Sequence, residues 1–359
     1  MMNKVCIYGV GAVGGFIGAL LAHQGSDVSV VSRGATLSSV KADGVRLLMD
    51  DEIIVAPVRA SDNPRDLGVQ DLVIVAVKAQ SMTDVAAKIS PLIGPQTVVL
   101  TAMNGVPWWF FQRPGAEFEG MQLESVDPGG KIAAAIPADR VIGAVVHGSF
   151  TSNGLGFSRN NLGKKLIVGE PDGSDSKRLK ALDTLLSKAG IEIETTASIQ
   201  QEIWYKLWGN MTMNPVSALT GVTCDKILDD PLVNRFCLKI MAEAGEIGAR
   251  IGCPISQTGE ERNAVTRQLG AFKTSMLQDV EAGRSLELNA LVAAVREIGQ
   301  KVGIATPEID TLLGLSRLHA RRRDCIPMRF HNVNSTESVN ELPANVRAHT
   351  LLLSVQSRV

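Results

Sequence analysis

Lys4-Val5-Cys6-Ile7-Tyr8 is followed directly by Gly9-Val10-Gly11-Ala12-Val13-Gly14 and then by the apolar run Phe16–His23. The first run is typical of a buried strand, and the last is typical of an apolar helix. Between a strand and a helix, each glycine of Gly-x-Gly-x-x-Gly has its own role: the tight turn, close approach of a pyrophosphate, and packing of helix on strand. The stretch therefore predicts a Rossmann-type dinucleotide-binding domain, with the cofactor phosphates at the helix N-terminus.

The second predicted strand, Asp27–Ser32, indicates which dinucleotide binds. An NAD site usually places an acidic residue near the C-terminal end of this strand. Here the strand ends in Ser32-Arg33-Gly34, and Asp27 lies at the opposite end. Because an arginine can hold a 2′-phosphate through two hydrogen bonds, this pattern favours NADPH and makes Arg33 a candidate cofactor contact. A solvent-facing Arg33 without a ligand is the alternative.

Two apolar runs, Asp71–Val77 and Thr97–Thr101, are typical of central parallel strands. Lys78 follows the first and Asn104 follows the second, and the carboxyl ends of such strands form the ligand crevice of open α/β sheets. Both residues are therefore candidates for the cofactor site, although Lys78 is equally well explained as a solvated loop lysine. Further strands are predicted at residues 44–48, 52–58, 141–150, 154–158, 165–168 and 191–196.

Residues 107–137 interrupt this pattern. Trp108, Trp109, Phe110 and Phe111 stand together in a chain with only 4% aromatic residues. A long loop in a compact domain is usually a functional element. Because this one follows Asn104 at the ligand edge of the sheet, we predict that it forms part of the substrate entrance. A hydrophobic plug that fixes the two halves of the protein together is the alternative.

The second half of the chain shows helical periodicity, at residues 199–213, 231–251, 258–269, 272–281, 286–302 and 307–321. The fold class predicted is therefore α/β, with an N-terminal Rossmann-type dinucleotide-binding domain followed by an all-α C-terminal domain. We place the first domain at residues 1–197 and a helical substrate and dimerisation domain at 198–325. No structure is predicted for the tail at 326–359.

Polar residues inside the helical half are candidates for a substrate site. Lys206, Asn210 and Asn214 are spaced i, i+4, i+8 and so line one face of a helix that is otherwise rich in apolar residues. A buried, unpaired ammonium is expensive, which indicates a partner or a task. Pro215 should break or kink the helix at Asn214 and leave a polar pocket there. The alternative for these three residues is a solvent-exposed lysine with two capping amides. For Glu287, which lies near the start of the predicted helix at 286–302, the alternative is that it only stabilises the helix dipole.

Together these segments resemble the ketopantoate reductase (2-dehydropantoate 2-reductase) family from the glycine motif to about residue 318. The matching motifs are Gly9–Gly14, Val77-Lys78-Ala79, Asn104-Gly105, Glu202–Leu207 with Asn210 and Asn214-Pro215, Ser275–Asp279, and Glu287. The resemblance implies reduction of a 2-oxo acid, 2-dehydropantoate, to the 2-hydroxy acid with NADPH, in pantothenate biosynthesis. A related enzyme for another small 2-oxo or β-hydroxy acid, and a non-catalytic NADP(H) sensor, are the alternatives.

The resemblance also implies roles for individual residues. Lys206 is the implied proton donor and Glu287 its partner; Asn210, Asn214 and Ser275 contact the substrate, Asn104 contacts substrate and cofactor, and Ser149 contacts the cofactor. The chemistry agrees, because hydride addition to a ketone builds negative charge on oxygen, which an ammonium can stabilise and protonate. The reaction requires no metal. A sensor has no use for such a donor.

The composition bounds the setting of this activity. Hydrophobic residues make up 45% and the net charge is −1, which is typical of a globular protein and offers no field for nucleic acid or an anionic membrane. The five cysteines are widely spaced and lack a Cys-x-x-Cys pair, which favours a reducing compartment, the cytoplasm. The expected partner is a small 2-oxo acid. Helical second domains of this kind often dimerise, so a homodimer is compatible with the sequence.

Overall fold

The computed structural model describes residues 2–323, which belong to one compact unit. The predicted tail at 326–359 lies outside these residues. The strands are β1 Lys4–Tyr8, β2 Asp27–Val31, β3 Val45–Met49, β4 Glu52–Ala56, β5 Arg59–Ser61, β6 Leu72–Val75, β7 Val98–Thr101, β8 Val141–Gly154, β9 Phe157–Gly169 and β10 Glu192–Thr195. The α-helices are α1 Ala12–His23, α2 Gly34–Asp43, α3 Met82–Lys88, α4 Lys131–Ala135, α5 Lys177–Lys188, α6 Ile199–Thr220, α7 Cys224–Asp229, α8 Pro231–Arg250, α9 Gly259–Arg267, α10 Ser275–Glu281, α11 Ala294–Val302 and α12 Pro307–Arg322.

The strands form one mixed sheet in the order β4-β3-β9-β8-β7-β6-β1-β2-β5, with β10 beside β9. β1 pairs in parallel with β2 on one side and with β6 on the other, so the chain reverses its direction of travel across the sheet at β1. β7 and β8 continue the parallel pairing beyond β6. Open α/β sheets bind ligands at such a switch point, outside the carboxyl ends of the strands. The Rossmann-type arrangement and the all-α second half are thus confirmed.

The far side of the sheet differs from the expectation of two short strands at 154–158 and 165–168. The structure has a single strand there, β9, which pairs antiparallel with β8 through several register shifts. Its first residues also pair with β3 and its last residues with β10. Bulges of this kind let a strand continue with a locally changed twist. The polar stretch Asn160–Gly163 is therefore accommodated within one strand.

Helix α6 also departs from the expectation, because it continues to Thr220 with Pro215 inside it. Pro215 cannot donate a backbone hydrogen bond, which normally kinks a helix. Here Met211, Met213, Asn214 and Val216 are each at most 5% exposed, so packing on several sides holds the backbone in place. The predicted discontinuity at Asn214 is wrong. The polar side chains lie instead along an uninterrupted helix.

The aromatic segment at 107–137 packs into a core shared by the sheet and the helices. Trp109 is fully buried and its Nε1 donates to Thr101 Oγ1 at 3.2 Å, while Trp108 Nε1 donates to the carbonyl oxygen of Ile136 at 3.0 Å. The ring of Phe110 lies 6.1 Å from that of Trp204 on α6. As far as residues 2–323 describe the ligand cleft, this segment does not line it. The prediction of a substrate entrance is therefore wrong, and the packing alternative holds.

Four of the five cysteines lie within the described residues. Cys6, Cys224, Cys237 and Cys253 are free and buried, while Cys325 lies outside the described residues. Among residues 2–323, none of the helices is both long enough and apolar enough to cross a membrane.

Candidate active site

A cleft of about 690 Å³ lies at the carboxyl ends of the central strands, and its opposite wall comes from α6, α10 and the segment that follows α10. The structure brings together in it most residues selected from the sequence: Val10, Gly11, Ala12, Val13, Lys78, Asn104, Ser149, Lys206, Asn210, Asn214, Ser275 and Glu287. A second pocket of about 130 Å³ shares Val77 with the cleft and contains Gly9 and Arg33. Residues from both halves of the sequence thus converge on one region.

The glycine motif forms the floor of this region. Gly9 has a φ of +98°, and a Cβ added to it would lie 2.6 Å from Val77 Cγ1. A Cβ on Gly14 would collide with the carbonyl oxygen of Gly9, so the third glycine permits helix-on-strand packing. At Gly11 an added Cβ would meet no atom within 4 Å, which leaves the approach to the N-terminus of α1 open. Free N–H groups at that end can therefore reach an anionic phosphate.

The smaller pocket carries two cations, Arg33 and Lys88, and two carboxylates, Asp62 and Asp84. Arg33 ends the β2 turn, is exposed, and forms an ion pair with Asp84 of α3, with Nη1 and Oδ2 3.4 Å apart. Ser32 and Lys88 line the same pocket. Asp84 and Lys88 were not predicted from the sequence, because they come from a later helix and carry no local motif. Arg33, Lys88 and the Ser32 hydroxyl can donate to a phosphate monoester, while the carboxylates of Asp62 and Asp84 oppose its charge.

Lys206 projects from α6 into the cleft and is held by two acceptors. Its Nζ donates to Asn104 Oδ1 at 3.0 Å and to the carbonyl oxygen of Val146 at 2.7 Å. Burial removes the ammonium from water and lowers its pKa from 10.5 to about 8, while the negative charge of Glu287 acts in the opposite direction. The Val146 contact was missed from the sequence, since a backbone carbonyl leaves no residue-type signal. The site therefore holds a lysine that gives up its proton more readily than an ordinary one.

Glu287 is the carboxylate of this site. Its Oε1 accepts a hydrogen bond from the backbone N–H of Ala79 at 2.9 Å, which ties the helical half to the loop after β6. Burial raises the pKa of Glu287, and the Ala79 hydrogen bond and the charge of Lys78 partly offset this effect. Glu287 and Lys206 influence each other through their charges, without a direct hydrogen bond among the described contacts. A helix-dipole role is thus not needed to explain the glutamate.

Lys78 bridges the two walls of the cleft. Its ammonium pairs with the carboxylate of Asp279 and donates to the carbonyl oxygen of Ser285 at 3.1 Å. Asp279 also accepts from Arg284 Nε at 2.9 Å, and its side chain is only 9% exposed. Asp279 ends the matching motif Ser275–Asp279 but was given no role from the sequence, because nothing local pairs it with a lysine in the first half of the chain. Lys78 therefore has structural partners as well as a place in the cleft lining.

Comparison with known proteins places this cleft in a family. A model described as ketopantoate reductase PanE/ApbA matches residues 5–108, and its C-terminal counterpart matches residues 198–320. A 2-dehydropantoate 2-reductase from Mesorhizobium japonicum is 43% identical over 90% of this chain and 99% of its own length. The chain belongs to the ketopantoate reductase family. It is an oxidoreductase of the 2-dehydropantoate 2-reductase type, and reduction of a 2-oxo acid is the activity that the family supports.

Solved structures agree with this placement. A candidate ketopantoate reductase from Ralstonia solanacearum MolK2 is 56% identical, with a TM-score of 0.87 over 91% of this chain and 100% of that one. A 2-dehydropantoate 2-reductase from Geobacter metallireducens is 25% identical, with a TM-score of 0.75 over 88% of this chain and 99% of that one. A D-mandelate dehydrogenase, 20% identical with a TM-score of 0.77 over 90% of this chain and 100% of that one, shares the fold.

Proposed function

We propose that this enzyme reduces 2-dehydropantoate to pantoate with NADPH, the step that such a reductase performs in pantothenate biosynthesis. The observation that carries the proposal is the position of Lys206. Its ammonium stands in the cleft beside the glycine motif, held by Asn104 and Val146, with a lowered pKa. A proton donor is the group that ketone reduction requires at this place.

The residues of the cleft fit the parts of this reaction. Bound NADPH would supply a hydride to the carbonyl carbon of the acid. Lys206 would stabilise the negative charge that develops on the carbonyl oxygen and then protonate it. Glu287 favours the charged form of Lys206, and Asn104 orients its ammonium.

The remaining polar side chains fit the rest of the substrate. Asn210 and Asn214 follow Lys206 at successive turns of α6, so amide donors lie on the same face of the helix as the proton donor. Ser275 adds a hydroxyl from the first turn of α10. Amide and hydroxyl groups can donate to a carboxylate and to a hydroxyl group. We therefore assign these three residues to the orientation of the acid.

The cofactor assignment rests on the two pockets. The open approach at Gly11 and the free N-terminus of α1 suit the pyrophosphate. Arg33, with Ser32 and Lys88 in the same pocket, suits the 2′-phosphate that distinguishes NADPH from NADH. Ser149 and Lys78 line the cleft and are assigned to the cofactor side.

Absorbance assays of NADPH oxidation test this proposal with 2-dehydropantoate and a panel of other 2-oxo acids. We expect the highest kcat/KM for 2-dehydropantoate. Lys206→Ala should lower kcat by about 10²–10⁴ while the Kd for NADPH stays within about threefold. A higher kcat/KM for another acid would point to the related reductase, and NADPH binding without turnover of any acid would point to a sensor. If Lys206→Ala keeps most of the turnover, the lysine is structural.

A further inference from the structure

One aromatic side chain, Phe272, stands among the polar side chains that the helical half contributes to the cleft. As far as residues 2–323 describe this wall, its other side chains are charged groups, amides or the hydroxyl of Ser275. Phe272 lies between α9 and α10, three residues before Ser275, and is partly buried. The helical wall therefore offers a bound molecule one large hydrocarbon surface.

Backbone contacts anchor the segment that carries Phe272 and Ser275. The carbonyl oxygen of Phe272 accepts from the N–H of Cys224 at 3.0 Å, and its own N–H donates to the carbonyl oxygen of Gly270 at 2.7 Å. Thr274, two residues later, is buried and caps the first turn of α10 with its hydroxyl. Phe272 and Ser275 thus lie three residues apart on one segment with an anchored backbone, and both residues line the cleft.

A 2-oxo acid presents two different kinds of surface to this wall. Its carboxylate and carbonyl oxygens need donors, which Lys206, Asn210 and Ser275 supply. The substituents on C3 are hydrocarbon in part, and a buried amide facing them would lose its hydrogen bonds to water without replacement. Apolar surface is needed there, and on the helical side Phe272 provides it.

We propose that Phe272 forms the subsite for the C3 substituents of the acid and makes the enzyme prefer 2-oxo acids that are branched at C3. The inference rests on the proposed function in one respect, namely that the substrate is a 2-oxo acid bound beside Lys206. Each methyl or methylene group in an apolar subsite changes kcat/KM by about 10- to 200-fold. Discrimination between branched and unbranched acids is therefore the quantity to measure.

The experiment compares 2-oxo-3,3-dimethylbutanoate with 2-oxopropanoate, which differ by three methyl groups on C3, as substrates of the full-length enzyme with NADPH. We expect the ratio of their kcat/KM values to exceed about tenfold in favour of the branched acid, and to fall at least about tenfold in Phe272→Ala. Phe272→Gln keeps much of the volume but is polar, so it should lose the preference as well. Phe272→Leu is the matched apolar control and should retain most of it.

The outcomes separate this inference from the proposed function. An unchanged ratio in Phe272→Ala and Phe272→Gln, or an equal fall for both acids, overturns the subsite. So does a wild-type enzyme that reduces no 2-oxo acid or shows no preference. If the wild type prefers branched acids through Phe272 but does not reduce 2-dehydropantoate, the subsite stands and the proposed substrate is wrong. Melting temperatures and the KM for NADPH show whether each variant is folded, and Phe272→Gln serves if Phe272→Ala is not.

Discussion

Reduction by this enzyme should slow as the pH rises through about 8, because Lys206 must carry a proton to act as the donor. Burial lowers the pKa of this lysine from 10.5 to about 8, and Glu287 opposes the effect without cancelling it. At neutral pH the side chain is therefore still largely protonated. Above pH 8 it loses the proton that the developing alkoxide needs.

The size of the effect distinguishes this lysine from an ordinary one. With a pKa of about 8, roughly nine tenths of the lysine is protonated at pH 7 and about one tenth at pH 9. The kcat/KM for reduction should therefore be about tenfold lower at pH 9 than at pH 7, whereas an ordinary lysine would lose only a few per cent over the same range. Oxidation of the hydroxy acid needs the neutral amine, so its rate should rise over this interval.

The assay is the pH dependence of kcat/KM for the oxo acid between pH 6 and pH 10. Lys206→Arg is the matched control, since its cation does not titrate in this range and the break near pH 8 should disappear even though activity is reduced. Glu287→Gln removes the charge that raises the pKa of Lys206, so the break should move to lower pH. A wild-type profile that stays flat to pH 9.5, or a break near pH 8 that persists in Lys206→Arg, would refute the assignment.

Four further substitutions test other parts of the structure. Arg33→Ala should lower the preference for NADPH over NADH by about ten- to a hundredfold in titrations of both cofactors, and equal affinities of the wild type for the two cofactors would contradict this prediction. Asp84→Asn frees Arg33 from its ion pair and should strengthen NADPH binding up to about fivefold; weaker NADPH binding in this variant would contradict that prediction. Asp279→Asn should lower the free energy of unfolding in urea by about 1–3 kcal/mol, because Lys78 loses a largely buried partner, and an unchanged midpoint would mean that the bridge contributes nothing. Trp109→Ala should lower the free energy of unfolding by about 3–5 kcal/mol with little change in the KM for the acid; a raised KM with an unchanged melting temperature would restore the entrance role.

Features that are determined by short stretches of the sequence were predictable. The strand, the glycine motif and the helix after it follow from residues 4–23, and β1 and α1 lie where this pattern places them. The line Lys206, Asn210 and Asn214 followed from helical spacing alone, and all three side chains reach the cleft. In such cases the determining contacts are local, or the backbone period fixes the geometry.

Features that depend on distant packing were not predictable. Pro215 stays within α6 because buried neighbours hold the helix, and no local rule contains that information. The pairing of Lys78 with Asp279 joins the two halves of the chain. The role of Trp109 depends on its hydrogen bond to Thr101 and on its packing in the core shared by the sheet and the helices. An aromatic run indicates that its apolar side chains must be buried, but it does not indicate which part of the fold buries them.

The low pKa of Lys206 also affects the stability of the fold. Because the folded-state pKa lies below the unfolded one, the unfolded chain binds more protons between about pH 8 and pH 10.5, and this residue makes folding less favourable below that window. This difference between the two pKa values lowers the free energy of unfolding by roughly 3 kcal/mol at neutral pH. The same helix that carries the lysine buries Trp204, Leu207 and Trp208 on its other sides. Since each such side chain contributes about 1.5–3 kcal/mol when buried, α6 can hold a destabilising ammonium in the cleft because the rest of its surface is anchored in the core.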